Sequence, residues 1–296
     1  GIISPSGTGL IYMGASTRVF YGMGMHRDLP GGLTRVSERY RIPWVALIAS
    51  LIVGCFFLIP YSGWALLVGF ITDATVLTFV MGSLHLQVMR RTAPNLERPF
   101  YLKGASILSP LGFLAGSMIF YWAGFDNLRG VIASVLVGLC LYTFIQGPVR
   151  GRFSRNVGLA IGVPYLIIFA ATQYFGPLFS NSLPFLLYWA LTAAEVLAFA
   201  GLVWRFTNQK REVHAAWWVL FMMFATYLLS YYGSYGPLKT PLVPFPWDNL
   251  IAVVIGLISY YWGVAAGYQT EEMKEIAESG TGLVTPEEEE MERRLG

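Results

Sequence analysis

Charge is what this sequence has least of. Asp, Glu, Lys and Arg make up only 12 % of its 296 residues, against 55 % that are hydrophobic, whereas a soluble domain carries about a quarter charged residues. That shortage excludes a water-soluble globular chain and leaves an integral membrane protein. Cysteine is nearly missing too. Cys55 and Cys140 both fall in apolar runs with no CxxC spacing, so neither a disulfide nor a zinc site is expected, and both read as small core residues. The three histidines, His26, His85 and His214, show no metal-ligand spacing. There is no GxxxxGK(S/T), no GxSxG and no HExxH, which removes the motif grounds for an ATP-driven pump or a hydrolase. No enzyme and no cofactor are expected. A basic segment leading into a short apolar run and a cleavage site, the mark of a secretion signal, is absent as well. The chain begins with Gly1 rather than Met, so the expectation is a fragment, or a chain cut from something longer.

What is there is apolar length. Nine runs of about 17 to 26 residues are each long enough for a helix at about 1.5 Å rise per residue to cross about 30 Å of hydrocarbon. The expected fold is an all-α polytopic helical bundle of about nine spans: from Ser4 to about Met25, then 42–60, 64–88, 107–123, 128–145, 157–175, 184–206, 215–232 and 249–268. The first is rich in Ser4, Ser6, Gly7, Thr8, Gly9, Gly14, Ser16 and Thr17. Small residues let backbones approach closely, and hydroxyls bond across helices where lipid offers no partner, so this helix is expected to be surrounded by protein. Between runs the loops alternate in charge. Arg35, Arg39 and Arg41, then Arg90, Arg91 and Arg98, then Arg150, Arg152 and Arg155, then Arg205, Lys210 and Arg211 fall on one side, and only Arg129 and Lys239 on the other. The basic side is expected to be cytoplasmic, with an odd number of spans and the tail inside a cell membrane. The basic residues are accounted for by topology, so no nucleic-acid partner is expected. Trp217, Trp218, Trp247, Tyr231, Tyr232 and Tyr235 sit near span ends and read as interfacial anchors. The pairs Gly112 and Gly116, Gly158 and Gly162, and Gly263 and Gly267 have the spacing for tight helix crossing. From Glu271 the tail carries nine acidic and three basic residues, the composition of a solvated segment.

Two stretches carry a family resemblance. The first is SPSGTGLIYMGASTRVFYGMGMHRDLP followed by a basic loop and Ile42-Pro43-Trp44-Val45-Ala46-Leu47; the second is LQVMRRTAPNLERPF, residues 86–100. Together they resemble the eighth and ninth helices, and the link between the tenth and eleventh, of the amino acid–polyamine–organocation permeases. The resemblance covers about the first 146 residues, and residues 147–270 exceed the family's common twelve-helix plan. It implies a partial inverted-repeat (LeuT-like) transporter fold, with residues 1–146 as the carboxyl-terminal part of the transport core, 147–270 as additional membrane helices and 271–296 as an acidic cytoplasmic tail. It also implies partners: an amino acid or amine as substrate, a proton or sodium as coupling ion, the lipid bilayer, and seven amino-terminal helices that this chain does not contain. Within the family the SGTGLIYMGASTR segment is most similar to amino acid–proton symporters.

The resemblance places an ion site between the family's broken first helix and its eighth, using hydroxyls of the latter. Here those are Ser4, Ser6 and Thr8, with Ser6 and Thr8 favoured; the alternative is that they bond back to their own helix or pack against a neighbour. Asp73 lies about ten residues into the third run, near mid-membrane, where an ionised carboxylate costs several kcal/mol unless paired or wet. Thr72, Thr75 and Thr78 recur beside it. Either Asp73 contributes to proton coupling or gating, or it is a buried acid tying helices together. Glu195 sits mid-run at 184–206 under the same penalty, with a structural or oligomer-contact role the alternative to transport. The expected function is secondary active transport of amino acids or related amines, coupled to protons, as part of a longer permease. The rival is a non-transporting accessory or assembly protein derived from a permease.

Overall fold

The computed structural model describes residues 3–58, 64–94 and 101–269, with the side chains of residues 3, 5, 57, 58, 64–67, 70 and 73 left aside. Among the described residues there are nine long helices and no strand, one helix for each apolar run: α1 Ile3–Met25, α2 Trp44–Leu58, α3 Trp64–Thr92, α4 Ala105–Trp122, α5 Phe125–Val149, α6 Arg155–Phe175, α7 Phe185–Phe206, α8 Lys210–Tyr232 and α9 Trp247–Ala266. The ends follow local chemistry. Arg27 and Gly151 adopt left-handed backbone (φ 58° and 66°) just past α1 and α5, the conformation that stops a helix. The Ser154 hydroxyl accepts from the Val157 N–H and caps α6, and Pro43, Pro184 and Pro246 immediately precede α2, α7 and α9. The helix α8 begins at Lys210, five residues ahead of the expected Ala215, so His214 is helical rather than in a loop.

Among the described residues six helices, α4 to α9, are long and apolar enough to cross a membrane. The chain is therefore a multi-pass helical membrane protein. Helix α2 is apolar but short, and α1 and α3 are not among the six. In α1 the reason is its load of Gly, Ser and Thr with Arg18.

The chain divides into two compact units, one comprising the residues up to Thr72 with Arg129–Lys210, the other Asp73–Leu128 with Arg211 onward. In the first, α1 packs on α2 and α6 on α7. Near its end α5 takes one π turn, Tyr142–Gln146, in which bonds run from residue i to i+5. A Cβ on Gly158 would collide with the Thr143 carbonyl oxygen, and one on Gly162 would lie 2.5 Å from the Thr143 Oγ1. The two glycines thus let α6 lie directly against the π turn.

In the second unit α4 packs on α9, around a core of Val80, Leu84, Phe113, Trp218, Met222 and Tyr260. Lipid tails are as apolar as these side chains, so close packing and interhelical hydrogen bonds hold such helices, at about 1 kcal/mol per bond. One chain of bonds joins three helices here: Ser109 Oγ donates to the Ser83 carbonyl (2.6 Å), and the Tyr260 hydroxyl donates to Ser109 Oγ (2.8 Å). The expected glycine crossings are present. A Cβ on Gly116 would meet Val80 at 2.7 Å, and one on Gly263 would meet Leu84 at 2.5 Å.

Two expectations are corrected. Trp218 is no interfacial anchor, since it is 4 % exposed at the centre of this core, whereas Trp247 is exposed as an anchor requires. Cys140 is buried as expected, but Cys55 is exposed on α2, because its neighbours along that helix face outward too.

Candidate functional site

The opening helix carries three of the candidate residues. Ser4, Ser6 and Thr8 are all exposed, and so is every described side chain from Ser6 to Ser16. A Cβ placed on Gly7, Gly9 or Gly14 would meet nothing within 4 Å among the described residues. Burial begins at Thr17, whose hydroxyl donates back to the Met13 carbonyl at 2.7 Å. With a turn every 3.6 residues, Ser4 and Thr8 share one face and Ser6 projects from the opposite one. The small-residue stretch of α1 is therefore bare on all sides in its own unit, and no single face gathers the three hydroxyls.

On α3, Thr72 and Thr78 are exposed and their hydroxyls donate to their own helix, Thr72 to the Val68 carbonyl at 2.8 Å and Thr78 to the Thr75 carbonyl at 2.6 Å. A hydroxyl that donates inward leaves its oxygen lone pairs facing out, able to receive a proton donor. Thr75 is exposed as well. Asp73 lies on this helix at the expected place, but its side chain is outside the described residues, as is the tail from residue 270.

Glu195 faces α6 from the middle of α7. Its Oε2 lies 3.2 Å from the Thr172 Oγ1, and its Oε1 is buried with no hydrogen-bond partner. Thr172 has one hydroxyl proton, and it lies 2.5 Å from the Ile168 carbonyl oxygen. The shorter bond claims that proton, so Glu195 is left without a committed donor. Beside it opens a cavity of about 500 Å³ walled mainly by Ile168, Phe175, Leu183 and Leu191.

Another carboxylate, this one buried, gives little sign of itself in the sequence. Asp248, in the first turn of α9, is fully buried and has a complete set of donors. Its Oδ2 accepts from the Tyr121 hydroxyl at 2.9 Å and the Ser234 N–H at 3.1 Å, and its Oδ1 accepts from the Asn249 N–H at 2.7 Å and the Asn249 side-chain amide at 3.2 Å. It ties α4, the loop after α8 and α9 together within the second unit. The only signal in the sequence is an acidic residue where a helix macrodipole favours one.

The residues of the two resemblance stretches turn out to hold the scaffold. Asp28 pairs with Arg150 at 2.6 Å and accepts from the Gln146 amide at 2.5 Å, fastening the loop after α1 to the end of α5. Arg91 donates to the carbonyls of Ala265 (3.0 Å) and Gly267 (2.6 Å), capping the carboxyl end of α9. Arg90 donates to the Leu102 carbonyl at 2.7 Å and lies over the Tyr101 ring. No group of three or more metal-ligating side chains is present among the described residues.

A bundle of membrane-crossing helices with exposed hydroxyls and an intramembrane acid defines a candidate transporter. No protein-family model matches the chain, and no solved structure does. Curated proteins of Bacillus subtilis (strain 168) do. The chain is 26 % identical over 290 residues to the glutamate/serine transporter AimA, covering 97 % of this chain and 43 % of that protein. It is 24 % identical over 266 residues to an aspartate-proton symporter, 90 % of this chain and 41 % of that one. To the branched-chain amino acid permease BcaP it is 27 % identical over 137 residues, 45 % and 28 %. These relatives are transporters rather than enzymes, and the chain is similar to the first two over nearly its whole length. It spans less than half the length of each relative. The helices after residue 146, on which the motif resemblance is silent, align with AimA along with the rest.

Proposed function

We propose that this chain is part of an amino acid permease that moves its substrate by alternating access, driven by a proton gradient. The observation that carries the reading is the alignment of nearly the whole chain with two transporters of small polar amino acids, one of them named as a proton symporter. Serine, glutamate and aspartate are accordingly the substrates to test. The exposed, hydroxyl-bearing stretch of α1 supports its assignment as one wall of the solute passage, with Thr8 and Ser4 on one face and Ser6 on the opposite one as the hydroxyls to test against substrate or ion. On α3, Thr72 and Thr75 line the path and Asp73 carries the transported proton. The bias of Lys and Arg towards one set of loops supports a cell membrane orientation with a cytoplasmic tail. We assign the remaining part of the passage to amino-terminal helices of the same permease.

The test is uptake of radiolabelled glutamate, aspartate and serine by the complete gene product in proteoliposomes. Uptake is expected with an inward proton gradient, to collapse with a protonophore, and to be unmoved by sodium. Asp73→Asn is expected to uncouple transport from pH. Uptake that is absent, or indifferent to the gradient, overturns the reading; transport by Asp73→Asn with unchanged pH dependence overturns the assignment of that residue alone.

A further inference from the structure

The cavity beside Glu195 has no part in the proposed solute passage, yet it has the chemistry of a binding site. It is an open groove of about 500 Å³ wholly within one unit, between α6 and α7, and three of its walls, Ile168, Phe175 and Leu191, are exposed side chains. Its walls are apolar except at Thr172 and Glu195. The carboxyl group is the only acid among the residues that line it, and its donors are unfilled: one oxygen has no partner, and the other faces a hydroxyl whose proton is already given to Ile168. The neighbouring side chains do not supply the lack. The Tyr165 hydroxyl and the Cys140 thiol lie within electrostatic reach of Glu195, but Tyr165 donates to the Leu136 carbonyl at 3.1 Å. Gln173 on α6 accepts at its Oε1 from the Tyr188 hydroxyl at 3.0 Å, and its Nε2 makes no hydrogen bond to Glu195 or to any other partner. No Lys or Arg lines the cavity.

A carboxyl with one oxygen buried and unpaired in an apolar setting is costly, and the cost is met by whatever brings a proton donor with it. A neutral alcohol brings one weak donor. An ammonium brings three donors and the opposite charge, and a charge-assisted bond is about twice as strong as a neutral one. The remaining walls, Ile168, Phe175, Leu183 and Leu191, suit an apolar body attached to that ammonium. We propose that the cavity between α6 and α7 binds a hydrophobic primary amine, its ammonium on Glu195 and its apolar body against Phe175, Leu183 and Leu191.

Binding of radiolabelled 4-phenylbutylamine to the purified full chain in lipid nanodiscs tests this without any transport step, so it stands or falls apart from the permease reading. One saturable site per chain is expected in the wild type. Glu195→Gln is expected to weaken binding at least tenfold and Glu195→Asp by less, while 4-phenylbutanol at equal concentration does not compete. Leu191→Trp, which fills the cavity and leaves the carboxyl in place, is expected to lose the site as well, and it decides the matter should Glu195→Gln not fold. Undiminished binding in either folded variant, equal competition by the alcohol, or no saturable binding in the wild type overturns the proposal. The last of these includes the case in which a second copy of the chain fills the cavity.

Discussion

Asp248 and Glu195 are both carboxylates on helices apolar enough to cross a membrane, and the two parts of the molecule that hold them treat them in opposite ways. Around Asp248 four donors converge from α4, α9 and the loop between α8 and α9, and every lone pair with a clear direction is used. Around Glu195 there is one hydroxyl, already committed elsewhere, and an apolar hollow. An acid whose donors all come from the fold is a tie, because removing it strands those donors. An acid whose donors are missing contributes little to the fold and leaves room for a partner from outside it. The number and source of donors, rather than depth in the membrane, separates the carboxylate that ties helices together from the one the fold leaves without donors.

Removing the tie should have the largest effect. Asp248→Ala leaves the Tyr121 hydroxyl and two backbone N–H groups without acceptors, and a loss of about 3 kcal/mol or more is expected from stranded buried donors. Its thermal unfolding midpoint in detergent should fall below those of Tyr121→Phe and Glu195→Gln. Tyr121→Phe removes one donor and leaves the other three, so a loss of about 1 kcal/mol is expected in the same measurement. At the small end, Glu195→Gln should leave the unfolding midpoint within the equivalent of about 0.5 kcal/mol, since it breaks no committed bond. A drop as large as that of Tyr121→Phe would place Glu195 with Asp248 as a tie and erase the contrast.

Much of the helical layout is legible in the sequence, because apolar runs of membrane length, broken by Pro, Gly and basic loops, have one backbone solution in lipid. Helix α1 ends at Met25 and α7 runs to Phe206, as the runs imply. The kinship is legible from two motifs, although the motifs themselves prove to be fastenings: Asp28 holds Gln146 and Arg150, and Arg91 caps α9. What is not legible depends on contacts between distant residues. Trp218 reads as an interfacial ring from its place near a helix end, and only the packing of Phe113 and Tyr260 around it makes it core. Asp248 reads as a solvated first-turn acid until Tyr121, 127 positions away, is brought to it. Glu195 stands out in the sequence by its burial cost alone, but its poverty of donors depends on Thr172 bonding to Ile168. The back-bonded hydroxyls of Thr72 and Thr78 do what small polar residues in membrane helices do for structural reasons, without removing their lone pairs from use.

The π turn in α5 has an effect on everything that follows it in that helix. A turn closed over five residues instead of four takes in one more residue than the α-helix allots, so each later side chain sits about 100° less far round the axis than the count from Phe125 implies. Gln146 ends that turn and Arg150 follows the helix closely, and their grip on Asp28 is thus set by a single supernumerary residue. In this part of the chain a one-residue deletion is a rotation, and it would unfasten the loop after α1 without altering any side chain that touches it.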